Sequence, residues 1–121
     1  MPDAPSQKPE DLPPIINNVP AVVRDFTTGA EVSVGRCSLQ FIEHTDKLRA
    51  MRELFRGHYR AGSQTDAENL NSHLIRLMSQ GAPAHKLIID YDNKQWDFTV
   101  KFEPGEGTLF AFSGRAAPVM L

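Results

Sequence analysis

Cysteine is nearly absent from this chain, with Cys37 the only one among 121 residues. That excludes an intramolecular disulfide and any zinc site built on paired thiolates. Long apolar runs are also missing. No stretch approaches the roughly 20 residues that cross a bilayer as a helix. The opening segment, MPDAPSQKPEDLPP, has neither a basic start nor an apolar core, so it does not read as a secretory signal. The expectation from these absences is a cytoplasmic protein with no membrane partner.

Charge of one sign is lacking as well. The formal net charge is −2 and the pI is near 6.0. Domains that hold nucleic acid by their overall field sit above a pI of about 9. Catalytic signatures are not found either. There is no HExxH, no GxSxG and no Walker loop. The glycines Gly105, Gly107 and Gly114 lack the strand-then-helix setting of a dinucleotide fingerprint. No cofactor and no metal is expected.

What is present suits one small domain. Hydrophobic residues make up 40% and charged residues 23%, and a chain of this length builds a core without staples. Six of the nine prolines fall in residues 1–20. Proline fixes φ and lacks an amide proton, so this segment is expected to be a disordered arm. The domain is expected over residues 21–115, with a short tail over 116–121.

Strand signals begin at Ala21. Val32 and Val34 share one parity, whereas Cys37, Leu39 and Phe41 share the other. A β-bulge at Gly35–Arg36 would return both sets to one buried side. Residues 46–60 predict a helix, because Leu48, Met51, Leu54, Phe55 and His58 or Tyr59 recur at three- and four-residue steps. A second helix follows, capped by Thr65 with Glu68 and stopped by Gly81 and Pro83. From Lys86 onward the alternation predicts a three-stranded meander. Leu87, Ile89, Trp96, Phe98, Val100 and Phe102 face inward, and a turn falls at residues 92–95. The resulting fold class is α+β in the order β-β-α-α-β-β-β, with an antiparallel helical hairpin on one face of the sheet.

Candidate sites are few. His44, His58, His73 and His85 are scattered without metal-ligand spacing. Asp90, Asp92 and Asp97 cluster about a hairpin turn, where two close carboxylates can act as acid and base or hold a hard cation; turns also favour aspartate for backbone reasons alone. Cys37 lies on a buried parity and reads as a small apolar residue.

The most distinctive feature is an arginine stripe. On a helix over 46–60, Arg49, Arg52, Arg56 and Arg60 would fall on one face. Guanidinium groups pair bidentately with carboxylates and phosphates. The expected function is therefore a non-catalytic accessory or regulatory module that binds another macromolecule, in the first place a protein, through these arginines. Nucleic-acid binding through the stripe is the first alternative. A small enzyme or ligand-binding domain around Asp90 and Asp92, with His85, is the second.

Overall fold

A computed structural model describes residues 8–42, 53–81 and 84–121. Its strands are β1 (Ile15–Asp25), β2 (Glu31–Phe41), β3 (Phe55–Ala61), β4 (Ala84–Tyr91), β5 (Lys94–Phe102), β6 (Leu109–Gly114) and β7 (Val119–Met120). One helix, α1 (Gln64–Gln80), joins β3 to β4. The sheet runs β4-β1-β2-β3-β6-β5-β7, and a further β4–β5 pairing closes it. Strands β1 to β6 thus form an antiparallel six-stranded barrel. This corrects the expected α+β fold with a helical hairpin, because a closed sheet leaves no open face for two helices.

The largest correction lies at residues 55–61, expected to end the first helix. They form β3, paired with β2 on one side and β6 on the other. Phe55, Tyr59 and Ala61 are buried, while Arg56, His58 and Arg60 are exposed. That is period two, not 3.6. Gly57 explains why a strand is tolerated so close to its neighbour. A Cβ there would lie 2.1 Å from the Ser38 carbonyl oxygen, so only glycine allows this approach. Of the rest of the expected helix, Glu53 and Leu54 lead into β3 without helical structure, and residues 46–52 lie outside the described residues.

β2 also differs from expectation. Its pairing with β3 runs without a shift from Gly35 to Phe41, so no bulge occurs at Gly35–Arg36. Parity is kept instead. Ser33, Cys37 and Leu39 point inward, and Val34 is left exposed. Ser33 is tolerated inside because its hydroxyl shares a 2.6 Å hydrogen bond with the Tyr59 hydroxyl. The irregularities lie in β1, between Ile16 and Val19, and at the β1–β2 turn end.

The barrel also takes in the last part of the proline-rich arm. β1 begins at Ile15, and Leu12 and Ile16 are both buried. The β4–β5 hairpin is as expected. Asp92 and Asn93 turn it with φ of 53° and 61°, the two-residue turn whose twist matches the flanking strands. Trp96, Phe98, Val100 and Phe102 all face the interior. Phe98 packs edge-on against Phe55, with ring centroids 5.1 Å apart, in the geometry aromatic quadrupoles favour.

α1 is capped by Ser63 rather than Thr65. The Ser63 hydroxyl accepts from the Asp66 amide at 3.1 Å and donates to the Asp66 carboxylate at 2.7 Å. The other Asp66 oxygen accepts from the Val34 amide at 3.0 Å, tying the helix start to β2. Gly81, in the left-handed conformation at φ 77°, ends it as expected. Ala67, Leu70 and Leu74 are buried, so α1 lies over the barrel end where β1 finishes and β2 and β4 begin. Among the described residues, no helix is long and apolar enough to cross a membrane.

Candidate functional site

Two polar constructions stand out from the barrel. The first is a basic patch on the outside of β2 and β3. Antiparallel pairing sets Arg36 opposite Arg60, Ser38 opposite His58, and Gln40 opposite Arg56. All six side chains belong to outward positions of two neighbouring strands. A concavity of about 480 Å³ opens over Arg36, Ser38, His58 and Arg60, and none of its lining residues is acidic.

Arg36 is held in place. Its Nε donates to Asn18 Oδ1 at 2.9 Å, and its Nη2 donates to the Asn18 carbonyl at 2.6 Å. Asn18 presents both oxygens because it sits in the irregular stretch of β1 with φ of 51°. Asparagine tolerates that conformation better than most residues. The Asn18 amide donates in turn to Ser38 Oγ at 2.9 Å. Neither Arg56 nor Arg60 forms an ion pair with a carboxylate among the described residues.

The second construction is a hydrogen-bonded chain that joins β1, α1 and β4. His73 on α1 reaches Asp25 at the end of β1, with Nε2 to Oδ2 at 2.9 Å, and its Nδ1 lies 2.7 Å from His85 Nε2 on β4. Asp25 is itself fixed by the turn after it. Its Oδ1 accepts from the amides of Thr27 and Thr28, each at 2.8 Å. The hydrogen bond from the Thr28 amide, with those from the Thr27 amide and the His73 ring behind it, holds the Asp25 carboxyl down at about 2, against partial desolvation.

A carboxylate can only accept, so His73 Nε2 donates to Asp25. In the second hydrogen bond one of His73 Nδ1 and His85 Nε2 donates and the other accepts. His85 Nδ1 is buried without a partner. Burial, reinforced by the neighbouring His73, pushes the His85 pKa down to about 4. The chain thus clamps α1 to two strands.

The sequence-expected residues fare unevenly. Arg56 and Arg60 do share an exposed face, but on β3 and not on a helix. Arg49 and Arg52 lie outside the described residues. Asp90 is exposed on the outer side of β4, and Asp92 is exposed in the turn. Asp97 pairs with Lys86 at 3.4 Å. His85 is fully buried on the inner side of β4, so it does not join Asp90 or Asp92. Burial raises the Cys37 thiol to about 12, which keeps it protonated and non-nucleophilic. No group of three or more His, Cys, Asp or Glu suited to a metal occurs among the described residues.

Arg36, Asn18, Asp25 and the pairing of His73 with His85 were not singled out from sequence. Signals existed for two of them. His73 falls between Leu70 and Leu77 on the inward stripe of α1, and Asp25 opens an Asp-Phe-Thr-Thr-Gly turn. No family model matches the chain, and no curated protein or solved structure matches it at significant similarity.

Proposed function

We propose that this protein is a non-catalytic binding module that docks an acidic protein segment on the outer face of β2 and β3. One observation carries this reading. Arg36, Arg56, His58 and Arg60 gather on neighbouring outward positions, and Arg36, His58 and Arg60 line a concavity that holds no acid. Solvated strand faces ordinarily mix charges of both signs, and like charges directly opposite destabilise a pair. An arginine face of this kind is complementary to carboxylates or phosphates.

The overall charge of −2 favours a compact acidic segment over a long polyanion. A nucleic acid would feel the field of the whole domain, whereas a short peptide would feel mainly this patch.

The test is binding of a fluorescent Asp/Glu-rich peptide, read by anisotropy at low and high salt. The wild type should bind, more weakly as salt rises, because exposed charges are screened over about 8 Å at physiological ionic strength. Arg56→Glu with Arg60→Glu should remove binding while leaving thermal unfolding unchanged, since both side chains are exposed. Unchanged affinity in that variant would rule out this face. Tighter binding to a single-stranded oligonucleotide of equal charge would favour the nucleic-acid reading instead.

A further inference from the structure

We infer that the Arg36–Arg60 pair, with Ser38 and His58, is a phosphate subsite, and that the acidic partner docks through a phosphorylated side chain. The inference rests on the binding face proposed above and names the chemistry at its centre.

Three observations carry it. The first is the pairing itself. Arg36 and Arg60 are direct cross-strand partners, an arrangement that is repulsive unless an anion lies between the two guanidinium groups.

The second is preorganisation. Arg36 is exposed, yet two of its nitrogens are tied to the side-chain and backbone oxygens of Asn18. Ordering a long surface side chain costs conformational entropy. Here that ordering is built into the irregular stretch of β1, and Nη1 is left free to donate outward. A ligand meeting this group does not have to immobilise it.

The third is the donor inventory. Ser38 Oγ accepts from the Asn18 amide, so its own hydrogen remains available. Arg60 contributes a whole unpaired fork, and the His58 ring stands beside Ser38 across the strand pair. These groups line one concavity. Donors from two strands therefore line the same concavity.

A carboxylate brings one charge and two oxygens, enough for one guanidinium fork. A phosphomonoester brings about −1.5 to −2 charge and three terminal oxygens, which matches the fork of Arg60, the remaining Nη1 donor of Arg36 and a hydroxyl. A phosphodiester in a nucleic acid brings only one charge per group. The count of cations and donors at this spot therefore fits the monoester.

The experiment uses the whole chain and amide-resolved NMR titrations. The probes are an acidic peptide carrying one phosphoserine, the same peptide with glutamate at that position, inorganic phosphate, and a single-stranded oligonucleotide. The phosphopeptide should bind at least about tenfold more tightly than the glutamate peptide, a difference of ~1.4 kcal/mol. The largest shifts should fall on Asn18, Arg36, Ser38, His58 and Arg60, and inorganic phosphate should move the same amides.

Arg60→Gln should abolish the preference without unfolding the chain. Arg36→Lys, which keeps the charge but loses the two-point anchor on Asn18 and the Nη1 donor it presents, should reduce it. Equal affinity for the two peptides would overturn the phosphate subsite and leave the acidic-segment reading standing. Failure of both peptides to bind would end both readings. An oligonucleotide that bound more tightly than the phosphopeptide would overturn the inference in favour of a nucleic-acid face.

Discussion

Acidification should weaken this fold in two separable steps, and His85 sets the first. A histidine whose pKa is lower in the folded than in the unfolded chain takes up its proton more readily on unfolding. The pKa of His85 falls from the ordinary 6.5 to about 4. Its contribution is therefore fully present above pH 6.5, is lost progressively as pH falls, and levels off below about 4. The gap between those values corresponds to about 3 kcal/mol, a large share of the 5–15 kcal/mol typical of a domain.

Asp25 acts in a lower window. Its carboxyl is held at about 2 instead of 3.8, so its contribution is lost only as pH drops from 3.8 through 2. The assay is urea unfolding followed by the fluorescence of Trp96, the single tryptophan, which is buried in the barrel wall. Stability should fall between pH 7 and pH 4.5 at constant ionic strength. His85→Leu should flatten that dependence. A wild-type stability that does not change over this interval, or a slope that survives in His85→Leu, would refute the reasoning.

Two further predictions concern the barrel interior. Gly57→Ala should destabilise by about 3 kcal/mol or more, because the new Cβ meets the Ser38 carbonyl at 2.1 Å and the Leu39 Cα at 2.7 Å; chemical denaturation measures it, and a loss below 1 kcal/mol would mean that the strands separate easily here. Tyr59→Phe should cost about 1–3 kcal/mol by orphaning the buried Ser33 hydroxyl. Adding Ser33→Ala should then cost little more, and a double mutant whose losses simply summed would show that the two hydroxyls do not stabilise each other.

The sequence was legible wherever one period stood alone. Residues 86–91 and 96–102 alternate about a turn read at 92–95, and they fold as two paired strands, longer by two residues at Ala84 and at Lys94. The start of α1 was placed within two residues, since Ser63, Thr65, Asp66 and Glu68 all offer capping groups. Residues 55–61 misled for a specific reason. Phe55 and Tyr59, like Arg56 and Arg60, are four apart, and that spacing puts residues on one face of a helix and of a strand alike. Gly57 between them was the discriminating residue, being a poor helix former.

In β2, Ser33 broke the pattern. A polar residue at an inward position made Val32 and Val34 look like the buried parity. The Asp25–His73–His85 chain and the Arg36–Arg60 pair were not legible as groups, although His73 and Asp25 each left a local signal. Their members come from separate elements, and only barrel closure and strand register bring them together.

The placement of β1 has a consequence for how the chain acquires its structure. β1 pairs with β2 along one edge and with β4 along the other, residues 21–25 lying against 85–89. The first strand made is thus completed only by one that follows after β2, β3 and α1. Until then its second edge offers unpaired amides and carbonyls to any other strand. Closure also depends on pairings remote in sequence, a topology that slows folding. A nascent or truncated chain ending before Ala84 would carry an open three-stranded sheet with Val23 and Leu39 uncovered. Aggregation of such fragments, and its suppression when residues 84–102 are supplied in trans, would follow directly from that closing edge.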